Sequence, residues 1–275
     1  MPDEHAFTSV DEQADPLAWV GVLDRVRAEP QYVAYKARAA ELLRPRQGGR
    51  YLEVGAGTGS DALALVSRYD VDVVGVDVSQ TMVEEAKRRG LREAHVAHAE
   101  SLPFGDETFD GAWADRTFQH LQEPHVALAE MVRIVKPGGR VLVADPDYDT
   151  QVVDINDHEL ARRVLRFRAD HMLRNGTLAH LMAGRFVQAG LTDVEVEAAT
   201  IVLREQASFD NAMGLRSWAG TAHERGLLGE GDVAAWEREI DAAVAAGRFL
   251  YSFSLFLTAG VKPAMPTGRG SSDTA

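Results

Sequence analysis

Cysteine is absent from all 275 residues, which excludes disulfide frameworks, thiolate metal sites, cysteine nucleophiles and thiol switches together. Positive charge is scarce: 29 Lys and Arg stand against 42 Asp and Glu, a formal net charge of −13 and a pI of about 5.1. Nucleic-acid binding needs a concentrated basic surface, so nucleic acid is not an expected partner. No apolar run approaches the ~20 residues of a membrane helix. Residues 1–15 are acidic and lack the basic and apolar blocks of an export signal. The expectation is a cytoplasmic protein with no membrane partner. At 45 % hydrophobic and 26 % charged, the composition is globular and suits one large domain, with or without an insertion.

Periodicity divides the chain. Leu17, Val20, Leu23 and Val26, then Tyr32, Tyr35, Ala39, Leu42 and Leu43, recur at helical spacing, which predicts two helices parted near Pro30 and a helical cap over residues 1–45. From residue 50 the period shortens. Strand-like runs at 50–54, 71–76, 94–97, 109–113 and 140–144 alternate with helical runs at 61–69, 80–89 and 124–136. Such alternation implies βαβ units and a mainly parallel sheet with helices on both faces. The predicted architecture is therefore α/β: a Rossmann-like, seven-stranded, mainly parallel sheet spanning residues 46–262. Helical insertions are expected after strands five and six, at about 151–190 and 205–248, forming a lid over an acceptor. Residues 263–275, rich in Gly, Ser, Thr and Pro, are expected to be a flexible tail.

The most informative stretch is Glu53-Val54-Gly55-Ala56-Gly57-Thr58-Gly59. Glycines at a strand end permit a sharp bend and let a ligand press against the main chain. A dinucleotide fingerprint is G-x-G-x-x-G, with its third glycine where Ser60 stands; the spacing here is G-x-G-x-G, which suits a nucleotide-like ligand without a pyrophosphate. Asp77 closes the second strand, where a carboxylate can accept from both hydroxyls of a ribose.

This stretch followed by Val76-Asp77 resembles the class I S-adenosylmethionine-dependent methyltransferases. His98-Ala99-Glu100-Ser101-Leu102-Pro103-Phe104 is similar to their adenine-side loop. Phe109-Asp110 and the run from Glu130 through Pro137-Gly138-Gly139 resemble later blocks of the small-molecule "type 11" branch. The resemblance covers residues 48–150 and implies S-adenosylmethionine as cofactor and S-adenosylhomocysteine as product. It implies a cofactor set of Glu53, Gly55, Ala56, Gly57, Gly59, Asp77, Val78, His98, Ala99, Glu100, Asp115 and Arg116. Gly55, Gly57 and Gly59 would approach the methionine and ribose, Asp77 the ribose hydroxyls, and Ala99 and Glu100 the adenine. The family usually carries Asp where His98 stands; a neutral imidazole can still accept from the adenine amino group.

His120, in the loop after the fourth strand, is the candidate general base, because its ordinary pKa near ~6.5 suits proton removal at neutral pH. Packing at a helix start is its other reading. Tyr32, His120, Asp145 and Tyr148 are the candidate acceptor pocket. Asp145-Pro146-Asp147-Tyr148 resembles the Asp-Pro-Pro-Tyr motif of amino-group methyltransferases but follows the fifth strand rather than the fourth. Asp115 and Arg116, adjacent and opposite in charge, read by default as a local ion pair. No metal is expected.

The expected function is methyl transfer to an O, N or C atom of a small molecule. The Ala-, Arg- and Val-rich composition associates it with bacterial secondary-metabolite biosynthesis. The alternatives are a cyclisation or rearrangement with the cofactor retained as scaffold, a cofactor sensor without turnover, and a nucleic-acid methyltransferase, which the net charge opposes. Oligomeric state is not legible.

Overall fold

A computed structural model describes residues 9–205 and 214–264; the far ends of the expected cap and tail, and residues 206–213 of the second insertion, lie outside the described residues. The cap consists of α1 (Pro16–Ala28) and α2 (Pro30–Leu43). Asp15 caps α1, its side chain accepting from Ala18 N at 3.3 Å. Pro30 fixes the break, because the residue before a proline is driven out of the helical region and Glu29 is extended at ψ 130.

The sheet holds β1 (Arg50–Val54), β2 (Asp72–Asp77), β3 (Glu93–Val96), β4 (Phe109–Asp115), β5 (Val135–Val153), β6 (Thr192–Leu203) and β7 (Tyr251–Val261). Its order is β3-β2-β1-β4-β5-β7-β6. The first five strands are parallel, and β7 lies antiparallel between β5 and β6. This is the expected mainly parallel, seven-stranded architecture. Alternation along the strands feeds two cores: Tyr51, Val73, Leu142 and Ala144 face one layer, while Leu52, Val54, Val74, Val76, Val141 and Val143 face the other. Each face is covered by helices, as a parallel sheet requires. The helices between the first strands are α3 (Ser60–Tyr69) and α4 (Gln80–Arg89). Ser79 starts α4, accepting from Met82 N at 3.2 Å, and Gly90 ends it in the left-handed conformation.

Several boundaries differ from the sequence reading, most by a residue or two, and two of the differences, around Pro137 and at the end of β5, have a clear physical cause. The helix after β4, α5 (Pro124–Ile134), ends before Lys136, because Pro137 forces the residue ahead of it into an extended conformation. Strand β5 then runs to Val153, since β7 supplies partners well past Ala144: Asp145 pairs with Phe256, Asp147 with Ser254, and, after an irregularity, Val153 with Tyr251. The helices α6 (His158–Phe167) and α7 (Met182–Gln188) follow β5; α8 (Ser217–Glu224) and α9 (Glu230–Ala245) follow β6. Trp218 and Trp236 are fully buried in the same core as Tyr251 and Phe253. Truncating a tryptophan so enclosed costs about 3–5 kcal/mol, so α8 and α9 are anchored through this core to β7. No helix among the described residues is long and apolar enough to cross a membrane.

Candidate functional site

The carboxyl ends of β1, β2 and β4 and the loops leaving them surround a cavity of about 540 Å³. The bend after β1 is locked onto β2, since Gly55 N and Ala56 N both donate to Val76 O, at 2.8 and 2.9 Å. The glycines of the bend serve different ends. At Gly55, φ is +73°, and a Cβ would lie 2.2 Å from Thr117 Oγ1; at Gly57, φ is +49° and the nearest atom to a Cβ is Leu23 Cδ1 at 3.5 Å. Gly55 is thus required by the protein's own packing, whereas Gly57 leaves its face open to the cavity. Gly59 does not line the cavity, and a Cβ there would meet Ala86 of α4 at 2.9 Å.

Asp77 lies beside that open face. Its Oδ2 accepts from Gly57 N at 2.8 Å and its Oδ1 from Ser79 N at 3.0 Å. Burial pushes its carboxyl above the ordinary value, against the opposing effect of these N–H donors. The N-terminal segment folds onto the same corner: Asp11 accepts from Ser79 Oγ and Gln80 N, both at 2.7 Å. Val78, His98, Ala99 and Glu100 line the cavity beyond Asp77, and Glu53 and Asp115 line it at the ends of β1 and β4. Glu53 is buried and accepts from Ala62 N at 3.0 Å. Burial, reinforced by the charge of Asp61, holds its carboxyl well above the usual range.

The cap helices close the cavity from above through ions that periodicity alone did not single out. Lys36 of α2 donates to both Asp61 and Asp115. Burial alone would lower its pKa, but Asp115 and Asp61 outweigh that and hold it above the ordinary lysine value. Arg27 of α1 donates to Asp61 Oδ1 at 2.7 Å and to Ser60 O at 2.9 Å. One signal was available: Lys36 stands four residues after Tyr32, on the stripe that α2 buries.

The expected Asp115–Arg116 ion pair is not formed. Asp115 is taken by Lys36 and by the Tyr35 hydroxyl, which donates at 3.0 Å. The Arg116 guanidinium lies over the Tyr32 ring, 5.5 Å from its centroid. Tyr32 is buried in the cavity wall, and burial above all pushes its hydroxyl pKa up to about 12. His120 ends the short 3-10 turn Phe118–His120 and also lines the cavity.

Asp145 and Tyr148 do not line this cavity. Asp145 is buried beneath the turn, accepting from Phe118 N at 3.2 Å and Gln119 N at 3.4 Å. Its carboxyl is held well above the ordinary value, first by burial and then by Asp115. Tyr148 stacks under the Arg168 guanidinium at 3.8 Å and borders a separate cavity. Among the described residues of the two insertions, Arg174 alone reaches the main cavity. Near β5, Asp147, Asp149 and His180 bring potential ligand atoms within 4.8 Å of one another. The Asp147 oxygens already accept from the N–H groups of Asp149 and His180, and one of them lies 2.6 Å from His180 Nδ1.

Comparison with known proteins places the chain among relatives of several kinds. A family model described as "Methyltransferase domain" matches residues 52–143. A Streptomyces fradiae protein described as "Uncharacterized 37.1 kDa protein in transposon TN4556" is 32 % identical over 244 residues, covering 86 % of this chain and 70 % of that one. The O-methyltransferase cnsE of Penicillium expansum is 37 % identical over 110 residues, covering 38 % of this chain and 40 % of its own. Against further relatives described as O-methyltransferases, the chain spans 50–53 % of their length. Among solved structures, the [4+2]-cyclase SpnF superposes with a TM-score of 0.55 at 23 % identity, over 84 % of this chain and 82 % of the other, a likeness of fold.

Proposed function

We propose, from the premise that the chain belongs to the class I S-adenosylmethionine-dependent methyltransferases of the type 11 branch, that it methylates an oxygen atom of a small molecule in a biosynthetic pathway. S-adenosylmethionine, the cofactor of the family, supplies when bound a methyl group on a positively charged sulfur. The observation that carries this reading is one cavity holding both the open face of Gly57 and the Asp77 carboxylate. Its volume falls in the range of about 300–1,000 Å³ that encloses small ligands.

Each carboxylate oxygen offers two acceptor sites, so Asp77 can hold ribose hydroxyls with those that Gly57 and Ser79 leave free. Gly55, Ala56 and Gly57 supply close-lying backbone, and Gly59 sets the bend against α4. Val78, His98, Ala99 and Glu100 would flank the adenine, with Glu53 and Asp115 at the methionine end. Lys36 and Arg27 hold the cap helices over the site and keep water out, which strengthens every charge interaction inside. Much of the acceleration of an in-line displacement comes from alignment in such a pocket. His120, in the cavity wall, would take the acceptor hydroxyl proton on a ring nitrogen as that oxygen receives the methyl group. Support for oxygen as the target comes from relatives described as O-methyltransferases.

The test is incubation of the purified full chain with S-adenosylmethionine and a panel of hydroxylated small molecules. A product heavier by one methylene, with accumulating S-adenosylhomocysteine, is the expected result. His120→Ala should retain donor binding and lose turnover by on the order of 10²-fold or more. Calorimetric silence toward both donor and demethylated product refutes the reading. A second reading, cyclisation or rearrangement around a retained cofactor, draws support from the fold likeness to a [4+2]-cyclase; it requires a product of unchanged mass.

A further inference from the structure

The chain has 42 acidic residues, and its arginines find them readily. Arg27 holds Asp61, Arg38 holds Glu197, Arg89 holds Asp24 and Arg133 holds Glu130. Arg116 departs from that pattern. It lines the main cavity, it is partly buried, and its side chain has no hydrogen-bonded acceptor or ion-pair partner among the described residues. The neighbouring carboxylate, Asp115, is occupied by Lys36 and Tyr35. Its guanidinium rests on the Tyr32 ring, a contact that steers a cation but satisfies none of its five N–H donors. Its backbone is held at φ +55, a conformation unfavourable for a bulky side chain that persists where surrounding structure imposes it, often at ligand sites. Arg116 N donates to Ala144 O at 2.7 Å, which fixes it there.

Arg174 stands beside the same loop. It also lines the cavity, exposed and without a partner among the described residues. The next residue, Asn175, is pinned to the turn that follows Arg116. Asn175 N donates to Gln119 O at 3.0 Å, and its Nδ2 donates to Phe118 O at 2.9 Å and Leu121 O at 2.8 Å. Sheet order puts these cations away from the ribose-side acid: Asp77 ends β2, and Arg116 follows β4, two strands along. At the usual strand spacing that is about 10 Å.

We propose that Arg116, assisted by Arg174, anchors an anionic group, carboxylate or phosphate, carried by the methyl acceptor. The inference rests on the methyl-transfer reading above. It makes the acceptor an anion, received by a guanidinium fork suited to paired oxygens.

Calorimetry on the full chain saturated with S-adenosylhomocysteine tests this, with benzoate and phenyl phosphate as probes and benzamide as the neutral control. At least one anion should bind about tenfold or more tightly than benzamide, equivalent to about 1.4 kcal/mol. Arg116→Gln and Arg174→Gln should each remove most of that preference, and Arg174→Gln should leave affinity for S-adenosylhomocysteine within about twofold. The two anionic probes distinguish carboxylate from phosphate. Arg174→Gln alters an exposed residue and carries the test should Arg116→Gln fail to fold. Anions that bind no better than benzamide overturn the proposal. So does an Arg116→Gln protein that loses S-adenosylhomocysteine affinity along with the anion, since the cation would then serve the cofactor's own carboxylate. An unmodified chain that takes up neither donor nor S-adenosylhomocysteine fails the methyl-transfer reading itself.

Discussion

Replacing Lys36 by methionine should remove about 3 kcal/mol of folding stability. The lysine side chain is 19 % exposed, and those of its partners Asp61 and Asp115 are 23 % and 9 % exposed, so water screens the cluster only partly. Methionine keeps a similar length and an apolar stem, which confines the loss to charge. Removing one member of a buried ion pair costs about 3–5 kcal/mol. Arg27 remains on Asp61 and the Tyr35 hydroxyl on Asp115, which argues for the lower end. In a chain of this size, about 3 kcal/mol corresponds to a fall in Tm of roughly 6–12 °C. The pH dependence has a definite sign. Burial alone would raise the pKa of Asp61, but Lys36 and Arg27 outweigh it and lower the pKa below 3.8. That contribution is present above 3.8 and lost as pH falls through the lower folded value. Lys36 is held above 10.5, so its contribution is present below 10.5 and lost as pH rises through the higher folded value. Urea unfolding followed by circular dichroism across pH should therefore show a gap between the two proteins that is widest near neutrality and narrows at both extremes. A neutral-pH gap below about 0.5 kcal/mol, as for an exposed pair, or a gap that widens in acid, refutes this account.

Asp77→Asn should weaken S-adenosylhomocysteine binding on the order of 10-fold or more, because the amide has a single acceptor oxygen and no charge; unchanged affinity by calorimetry would exclude the ribose role. Gly55→Ala and Gly57→Ala should separate stability from binding. The first drives a Cβ into Thr117 at 2.2 Å, while the second meets nothing closer than Leu23 at 3.5 Å. Thermal melts should fall steeply for Gly55→Ala, and Gly57→Ala should lose roughly 1–2 kcal/mol from its left-handed backbone but most of its donor affinity. Equal behaviour of the two would contradict the geometry. Glu53→Gln should gain on the parent as pH rises. The folded pKa of Glu53 lies well above 4.5, so its contribution is fully present below 4.5 and is lost as pH rises toward the folded value, by at most about 1.4 kcal/mol per pH unit. Gln can still accept from Ala62 N, and a pH-independent difference between the proteins rules this out.

The alternation of periods made the sheet legible because the central strands β1, β2 and β4 bury both faces and each connecting helix one, and these constraints are local. The end of β5 was not legible. Asp145-Pro146-Asp147 carries no strand signature of its own and is extended because β7, more than 100 residues later, pairs with it. The same long-range pairing draws Asp145 under the Phe118–His120 turn and Tyr148 against Arg168, so neither reaches the cavity to which strand-end logic assigned them. Asp77 and the glycines were readable because a bend and a strand end place them together whatever the rest of the chain does. Lys36, Arg27 and Arg174 were not, since their proximity to the site depends on how the cap and the first insertion dock. Asp115 and Arg116 show the same limit in reverse: adjacent in sequence, they part because α2 supplies the acid with a different cation.

Lys36 joins the stability of the cap to the chemistry of the site. It fixes Asp61 at the start of α3 and Asp115 at the end of β4, while Tyr35, from the same helix, holds Asp115 by a second contact. A carboxylate so held is oriented before any ligand arrives, and such preorganisation is most useful where charge changes during reaction. S-adenosylmethionine carries a positive sulfur that S-adenosylhomocysteine lacks, so an acid held at the methionine end would favour donor over product. A brace that acts on folding alone would leave ligand affinities in Lys36→Met unchanged, and a saturating ligand would then stabilise both proteins equally, by the logarithm of its concentration over Kd. If Lys36 also orients Asp115 toward the sulfur, the stability gap between parent and variant widens when S-adenosylmethionine is present and widens less with S-adenosylhomocysteine. Equal gaps under all three conditions would reduce Lys36 to a fastening for the cap.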